Sequence, residues 1–467
     1  MVSQGEGHIA PRTVLSHMQA RGPGIRGMHG AERGRMNRTE TPIGRRSSPL
    51  AGRPAIAVAA MLFAAWIVAY VDRIVIGTAI IPMAAEFGLD SNQKGYVLGA
   101  FYLSYAIMQL GGGALADRFG PRLTLICCLL AWSAFTGLTG LAWSLPVLIL
   151  ARLAFGIGEG SFSPASASAV ATYFPHASRA RLQALLGSTG FIGSAIGSAA
   201  MAWTVATFGW RETFQGLALA GMVVTAGFFV TLPGVTRAAG ALCDPAGRAT
   251  WRGVARAPGL WRIALLWFCA CVAWVGVQSW MPSYLVEARH LALVDVGLCA
   301  IAPGLAGFVG TNLAGRMIDR HGAARQRHVL LAAAAAIPVC LMLIPLVRFI
   351  PLLVVIWSLC AAAIGPINAV VLAFPVKSMP ESSTGRAMGL INFCGQIAGM
   401  IASVVVGRLV AGAGGDYRTA FDFLAVIGAA GLALAIFPRR TAILPSAGDC
   451  PPFRPSRSRR TRQGNHQ

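Results

Sequence analysis

Two short stretches place charge where a lipid-facing segment would avoid it. YVDRIV (70–75) sets Asp72 beside Arg73, between AIAVAAMLFAAWIVA and IGTAIIPMAA, and ARLAFGIGEG (151–160) sets Arg152 and Glu159 inside a second apolar run. A charged side chain at bilayer depth costs roughly 2.5–3.5 kcal/mol on insertion scales. Residues retained at that cost turn toward the protein interior or a wet cavity, which directs all four to the midline. Burial favours the neutral form of a carboxyl, so a carboxyl at depth is suited to take up and release a proton. Glu159 is the first candidate for that role and Asp72 the second, since adjacent Arg73 favours the charged form of Asp72. A guanidinium presents a planar fork that matches a carboxylate bidentately, which makes Arg73 a grip for an anion. Arg152 and Glu159 lie two turns apart, about 10.5 Å along one helix face. Phe155, Gly156 and Ser163 extend that stripe, and Arg152 is expected to partner Glu159 or Asp72. The plainer alternative is a set of ion pairs that only hold helices together, for which burial is weak support because desolvation can exceed the attraction.

The elements that carry these residues are membrane helices. The chain has 467 residues, 55% hydrophobic and 12% charged, against about 25% charged in a soluble domain. Each bilayer crossing needs about 20 apolar residues. Twelve such runs are expected, near 56–81, 96–115, 123–143, 146–172, 182–206, 213–232, 261–286, 296–315, 329–347, 350–374, 387–411 and 418–437. The net charge of +22 is placed as a topology signal and does not indicate nucleic-acid binding. Nine arginines fall in residues 1–54 and more follow residue 437, while Arg118, Arg122, Arg179, Arg181, Arg237 to Arg262 and Arg316 to Arg327 mark alternate loops. By the positive-inside rule both termini are cytoplasmic. Residues 1–54 are expected to be a disordered basic tail without the apolar core of a signal peptide, and 438–467 a second basic tail. The ten cysteines show no metal-ligand spacing and no disulfide framework, so no metal and no cofactor are expected.

The chain also repeats itself. GGALADRFGPRL (112–123) and AGRMIDRHGAARQR (314–327) share the order Gly, three residues, Asp-Arg, one residue, Gly or its counterpart, then arginine. Gly113, Asp117, Arg118, Gly120 and Arg122 answer to Gly315, Asp319 and Arg320, each set between the second and third helices of a six-helix half. Internal repetition of this kind marks secondary transporters with a site between the halves. The expected organisation is a helical bundle at 55–232, a cytoplasmic linker at 233–260 and a second bundle at 261–437. Glycine permits a tight turn, and the Asp-Arg pairs are expected to bridge helix ends at the cytoplasmic face.

These residues carry a resemblance. YVDR (70–73), FYLSYAIMQLGGGALADRFGPR (101–122), ARLAFGIGEG, WMPSYL (280–285) and INFCGQIAG (391–399) resemble the major facilitator superfamily over about 55–437. Within it they are similar to the anion:cation symporter family of hexuronate, aldonate and sialic acid carriers. The resemblance implies an all-α membrane protein of twelve helices in two pseudo-symmetric bundles, which carries an organic anion with protons across a bacterial inner membrane as a monomer. It implies Asp72 and Glu159 as proton carriers, Arg73 as substrate anchor and Tyr105 as a pocket residue, with Arg152, Gln278 and Asn392 among the substrate-binding candidates. Gln109, Asn368 and Gln396 add hydrogen-bonding groups that serve equally as glue between helices, worth around 0.6 kcal/mol. One departure stands in helix 11, where Ser403 occupies a region in which relatives often have a kinking proline.

Other classes fit less well. Neither Lys94 nor Lys377 lies in a GxxxxGK[ST] loop, and neither HExxH nor GxSxG occurs, so an ATP-driven pump and a membrane enzyme are excluded and no catalytic residue is expected. The remaining alternative is a proton-coupled efflux antiporter of the same superfamily, whose helix 1 motif is similar to DRIVIGTAIIP (72–82). Arg73 would repel the lipophilic cations many of those proteins export, and GSTGFIGSAIGSAA in helix 5 lacks their Gly-Pro pair.

Overall fold

Apolar runs this long can satisfy their backbone in lipid only as helices. The computed structural model describes residues 52–233, 251–320, 323–379 and 381–436, and every regular element among them is a helix. The first half holds α1 (Arg53–Phe87), α2 (Ser91–Phe119), α3 (Pro121–Gly140), α4 (Leu145–Gly160), α5 (Phe162–Tyr173), α6 (His176–Phe208) and α7 (Trp210–Thr231). After the short α8 (Trp251–Ala255), the second half holds α9 (Leu260–Glu287), α10 (Leu293–Cys299), α11 (Ile301–Arg320), α12 (Ala323–Leu343), α13 (Ile350–Ser378), α14 (Glu381–Gly412) and α15 (Arg418–Ile436). The two basic tails, apart from residues 52–54, and residues 234–250 of the expected linker lie outside the described residues.

Among the described residues, eleven spans are long and apolar enough to cross a bilayer. The twelfth expected run, 96–115, is the 29-residue α2. Tyr102, Ser104, Tyr105 and Gln109 dilute its hydropathy, in keeping with a helix packed between α4 and α14. Two expected single spans are broken by proline, which cannot donate to the carbonyl four residues back. Pro164 leaves Gly160 without that partner where α4 gives way to α5, and Pro303 leaves Cys299 without it where α10 gives way to α11. Elsewhere the joints are tight: Gly120 (φ 81°) alone separates α2 from α3, and Gly209 (φ 95°) alone separates α6 from α7. Only glycine takes that backbone region at little cost. Bulky apolar side chains such as Leu150, Val223 and Val230 cover the periphery, as a lipid-facing surface requires. The protein is a multi-pass integral membrane protein.

The repeat seen in the motifs extends to the packing. In the first half α1 packs on α6, α2 on α4, and α3 on α7; in the second α9 packs on α14, α11 on α13, and α12 on α15. The halves meet through α2 against α14 and, in the equivalent arrangement, α6 against α10 and α11. Short connections make successive spans antiparallel, so the end where α1 begins can be called near and the opposite end far.

Among the described residues the seam between the halves is packed tightly at the far end and more loosely at the near end. At the far end a Cβ added to Gly95 would lie 2.8 Å from the Ser403 carbonyl, and one on Gly407 2.5 Å from that of Ser91. The second seam is equally tight, with Gly297 against Ala202 (2.5 Å) and Gly304 against Ala195 (2.9 Å). Helical periodicity puts Gly385 on the α14 face of Ser403, Gly315 on the α11 face of Gly304, and Gly187 on the α6 face of Phe191. Among the described residues these three near-side glycines meet nothing within 4 Å, and Gly389 meets the Gln109 carbonyl at 3.5 Å. α14 runs unbroken through Ser403, whose carbonyl also accepts the Trp280 indole N–H at 3.2 Å.

Candidate functional site

Successive residues on a helix point about 100° apart, so Asp72 and Arg73 reach different neighbours and do not pair. Fully buried Asp72 turns into the first half, where its Oδ2 accepts a 2.6 Å hydrogen bond from Thr136 Oγ1 on α3 and its Oδ1 has no partner. Arg73 turns toward α4 and α2. Its Nε donates to Glu159 Oε1 at 2.7 Å, and its Nη2 to the Tyr105 hydroxyl at 2.9 Å, with the guanidinium 4.7 Å from the Tyr105 ring centre. The ion pair thus ties α1 to α4 and leaves Glu159 Oε2 buried without a partner.

The glycines of ARLAFGIGEG explain how a carboxylate comes to be held there. A Cβ on Gly156 would meet the Ser104 hydroxyl and lie 2.6 Å from the Phe101 carbonyl on α2, while one on Gly158 would lie 2.9 Å from the Trp132 nitrogen on α3. The space the sequence leaves beside Glu159 is therefore filled by helix backbone. Such close approach gains dispersion and fixes the geometry of the site.

Arg152 makes neither expected ion pair in this conformation. It is 1% exposed, its Nη2 donates to Thr139 Oγ1 at 2.8 Å, and its Nε has no partner. The guanidinium lies 4.7 Å from the Phe155 ring centre and 5.2 Å from that of Phe214. α4 runs from far to near, so Arg152 stands two turns farther out than Glu159, whose bonded oxygen is already taken by Arg73.

Arg73 and Arg152 line one central cavity, together with Phe101, Tyr102 and, from α9 of the other half, Gln278 and Ser279. A second cavity shares Ile74 and Gln278 with it and extends to Ser194, Ser198 and Trp357. Gln278 Nε2 stands 3.5 Å from Ser194 Oγ, a long contact across the seam. The geometry therefore gathers Arg73, Tyr105, Glu159, Arg152 and Gln278. Asn392 on α14 is half-buried, as are Asn368 and Gln396, and none of the three lines either cavity. Thr136, Thr139, Phe101 and Tyr102 were not singled out in the sequence, because hydroxyls and rings in an apolar run give no sign of what they face.

The repeated motif sits at the near end. Gly113, Asp117 and Arg118 lie within the last turns of α2, Gly120 forms the turn and Arg122 opens α3. Arg122 Nη2 donates to the Phe229 carbonyl of α7 at 3.3 Å, bridging helix ends, whereas exposed Arg118 lies over its neighbour Phe119. Gly315, Asp319 and Arg320 lie in the last turns of α11. The side chains of Asp117, Asp319 and Arg320 are outside the described residues.

At the far end the halves are tied by charge as well as by glycine packing. Lys94 of α2 reaches Glu287 of α9 at 2.6 Å, and the other Glu287 oxygen accepts the Tyr417 hydroxyl at 2.7 Å. A signal for this tie existed in the sequence, since Lys94 is one of only two lysines in a chain otherwise served by arginine.

Two antiparallel six-helix bundles around a central cavity with embedded charge define a membrane carrier of the secondary-transporter class. The Major Facilitator Superfamily model matches residues 61–403, and the chain belongs to that superfamily. It is 33% identical to the probable sulfoacetate transporter of Cupriavidus necator, over 74% of this chain and 85% of that protein. It is 28% identical to the probable galactarate/D-glucarate transporter of Escherichia coli K12, over 75% and 87%. The fold matches the solved structure of a bacterial homologue of the human lysosomal transporter Spinster in its inward-facing and occupied conformation, with a TM-score of 0.70 at 17% identity, covering 83% of this chain and 97% of that one. The relatives are organic-anion transporters and this chain is a transporter, not an enzyme.

Proposed function

We propose that the protein is a proton-coupled symporter of an organic anion, working as a monomer in a bacterial inner membrane by alternating access. The near end is the cytoplasmic side, with both termini there. Residues 55–232 and 261–437 are the bundles that rock, and 233–260 is the linker between them. The observation that carries the reading is the Arg73 guanidinium on the wall of the central cavity, bonded at once to Glu159 and Tyr105. A proton delivered to Glu159 breaks its ion pair and frees the fork of Arg73 for an incoming carboxylate or sulfonate. Loss of the anion returns Glu159 to Arg73 and the proton to solution. The Glu159 carboxylate and the anion therefore occupy the same guanidinium in alternation, so the anion binds while Glu159 holds the proton, which couples their movements. Asp72, with one oxygen unpartnered, is the second proton carrier. Tyr105, Arg152, Gln278 and Asn392 complete the substrate contacts, Asn392 arriving as the near end closes. The relatives, probable transporters of sulfoacetate and of galactarate and D-glucarate, support an anionic cargo.

Glu159→Gln tests the coupling. The variant is expected to lose accumulation driven by a pH gradient while keeping exchange of labelled for unlabelled anion. Gradient-driven accumulation at the wild-type level would remove Glu159 from the coupling.

A further inference from the structure

We infer that the cargo is a dianion, with one anionic group at each end and each guanidinium of the central cavity taking one. The inference rests on the reading of the central cavity as an anion site and names the substrate it is built for. Two cations line a single cavity, and they differ in how they are neutralised. Arg73 is held by Glu159 and Tyr105. Arg152, 1% exposed, makes no ion pair, and its Nε is buried with no hydrogen-bond acceptor. A buried guanidinium with an unspent N–H is costly to keep, and what relieves the cost is an acceptor that arrives from the cavity.

The groups facing Arg152 limit what that acceptor can be. Thr139 takes one N–H, and the faces of Phe155 and Phe214 cover the rest of the guanidinium. Asp72 attracts the Arg152 guanidinium without forming an ion pair with it; one of its oxygens is held by Thr136 on α3, the other is unpartnered, and it does not line the cavity. Between the two arginines lies an aromatic floor, with Arg73 5.8 Å from the Phe101 ring centre, Phe101 and Phe155 rings 5.2 Å apart, and Arg152 4.7 Å from Phe155. A short apolar or hydroxylated chain spanning that floor brings its two ends to the two forks. Neutrality points the same way. Asp72, Arg73, Arg152 and Glu159 sum to zero, and protons on both carboxyls leave two positive charges, which a dianion cancels.

Matched pairs test this on the purified full-length protein without reliance on any variant. Succinate is compared with its half-amide succinamate, and glucarate with gluconate, by ligand-induced thermal stabilisation and by competition. The diacid is expected to bind at least tenfold more tightly than its singly charged partner. Arg152→Gln is expected to erase that advantage, and Arg152→Lys to restore part of it. Equal affinity for diacids and half-amides overturns the inference but leaves an anion symporter, as does an Arg152→Gln variant that loses both kinds of ligand in equal measure. Binding of neither kind defeats the inference together with the reading beneath it.

Discussion

Replacing Gly407 by alanine should shift the carrier away from the conformation described above. The new Cβ would lie 2.5 Å from the Ser91 carbonyl, 3.0 Å from the Trp280 ring and 3.1 Å from the Gly95 Cα. Two of those neighbours are backbone and cannot rotate aside. Overpacking of this kind costs about 1–3 kcal/mol. The part of the penalty that comes from Ser91 and Gly95 falls only on the state with the far end closed, because separation of α2 from α14 removes those overlaps. The gain in helix propensity from glycine to alanine, about 1 kcal/mol, applies in both states and cancels. At a factor of ten per 1.4 kcal/mol, the ratio of far-closed to far-open protein should fall about 5- to 150-fold. Hydrogen–deuterium exchange reads the shift directly: segments 91–99 and 400–407 should exchange faster than in the wild type, and the near-end segment 381–389 more slowly. Gly385→Ala, on the same helix face but with nothing within 4 Å, should leave both patterns unchanged. Unaltered exchange in Gly407→Ala, or the same change in Gly385→Ala, would refute the assignment of a glycine-packed seam closed at one end.

Further outcomes follow from the same contacts. Glu287→Gln strands the nearly buried ammonium of Lys94, at a cost between about 1 kcal/mol for an exposed pair and about 3 for a buried one. It should therefore also raise far-end exchange, and no change would show that the tie is not a latch. Gly156→Val forces a side chain against the Phe101 carbonyl and Ser104; the melting temperature should drop by several degrees, and an unchanged one would deny the close approach of α2 and α4. Tyr105→Phe keeps the ring over Arg73 but removes the 2.9 Å bond. With bonds to charged groups worth about 1.5–3 kcal/mol, anion affinity should change by at least tenfold, and equal binding would place the hydroxyl outside the site.

Much of this architecture was legible because membrane physics leaves few choices. The spans follow from apolar length, and the two halves from the paired Gly-x-x-x-Asp-Arg segments. The breaks after Gly160 and Cys299 were legible in principle from Pro164 and Pro303, whose missing N–H groups fix where each helix yields. The four embedded charges were visible for the cost they carry. Their partners were not. Adjacency in sequence suggested that Asp72 and Arg73 act on each other, whereas helix rotation sends one to Thr136 and the other to Glu159. Arg152 reaching Thr139 was equally hidden, since pairing depends on how far α4 slides past α1 and α3. The far-end tie through Lys94 joins residues 193 positions apart, and no local pattern announces a contact of that range.

The most direct test is uptake into proteoliposomes with an alkaline interior, using radiolabelled succinate and glucarate beside a lipophilic cation. The account predicts accumulation of an anion above its external concentration, dependent on the pH gradient and abolished by a protonophore. Proton-linked movement of the cation without any anion uptake would contradict it and would return Arg73 and Glu159 to a purely structural ion pair.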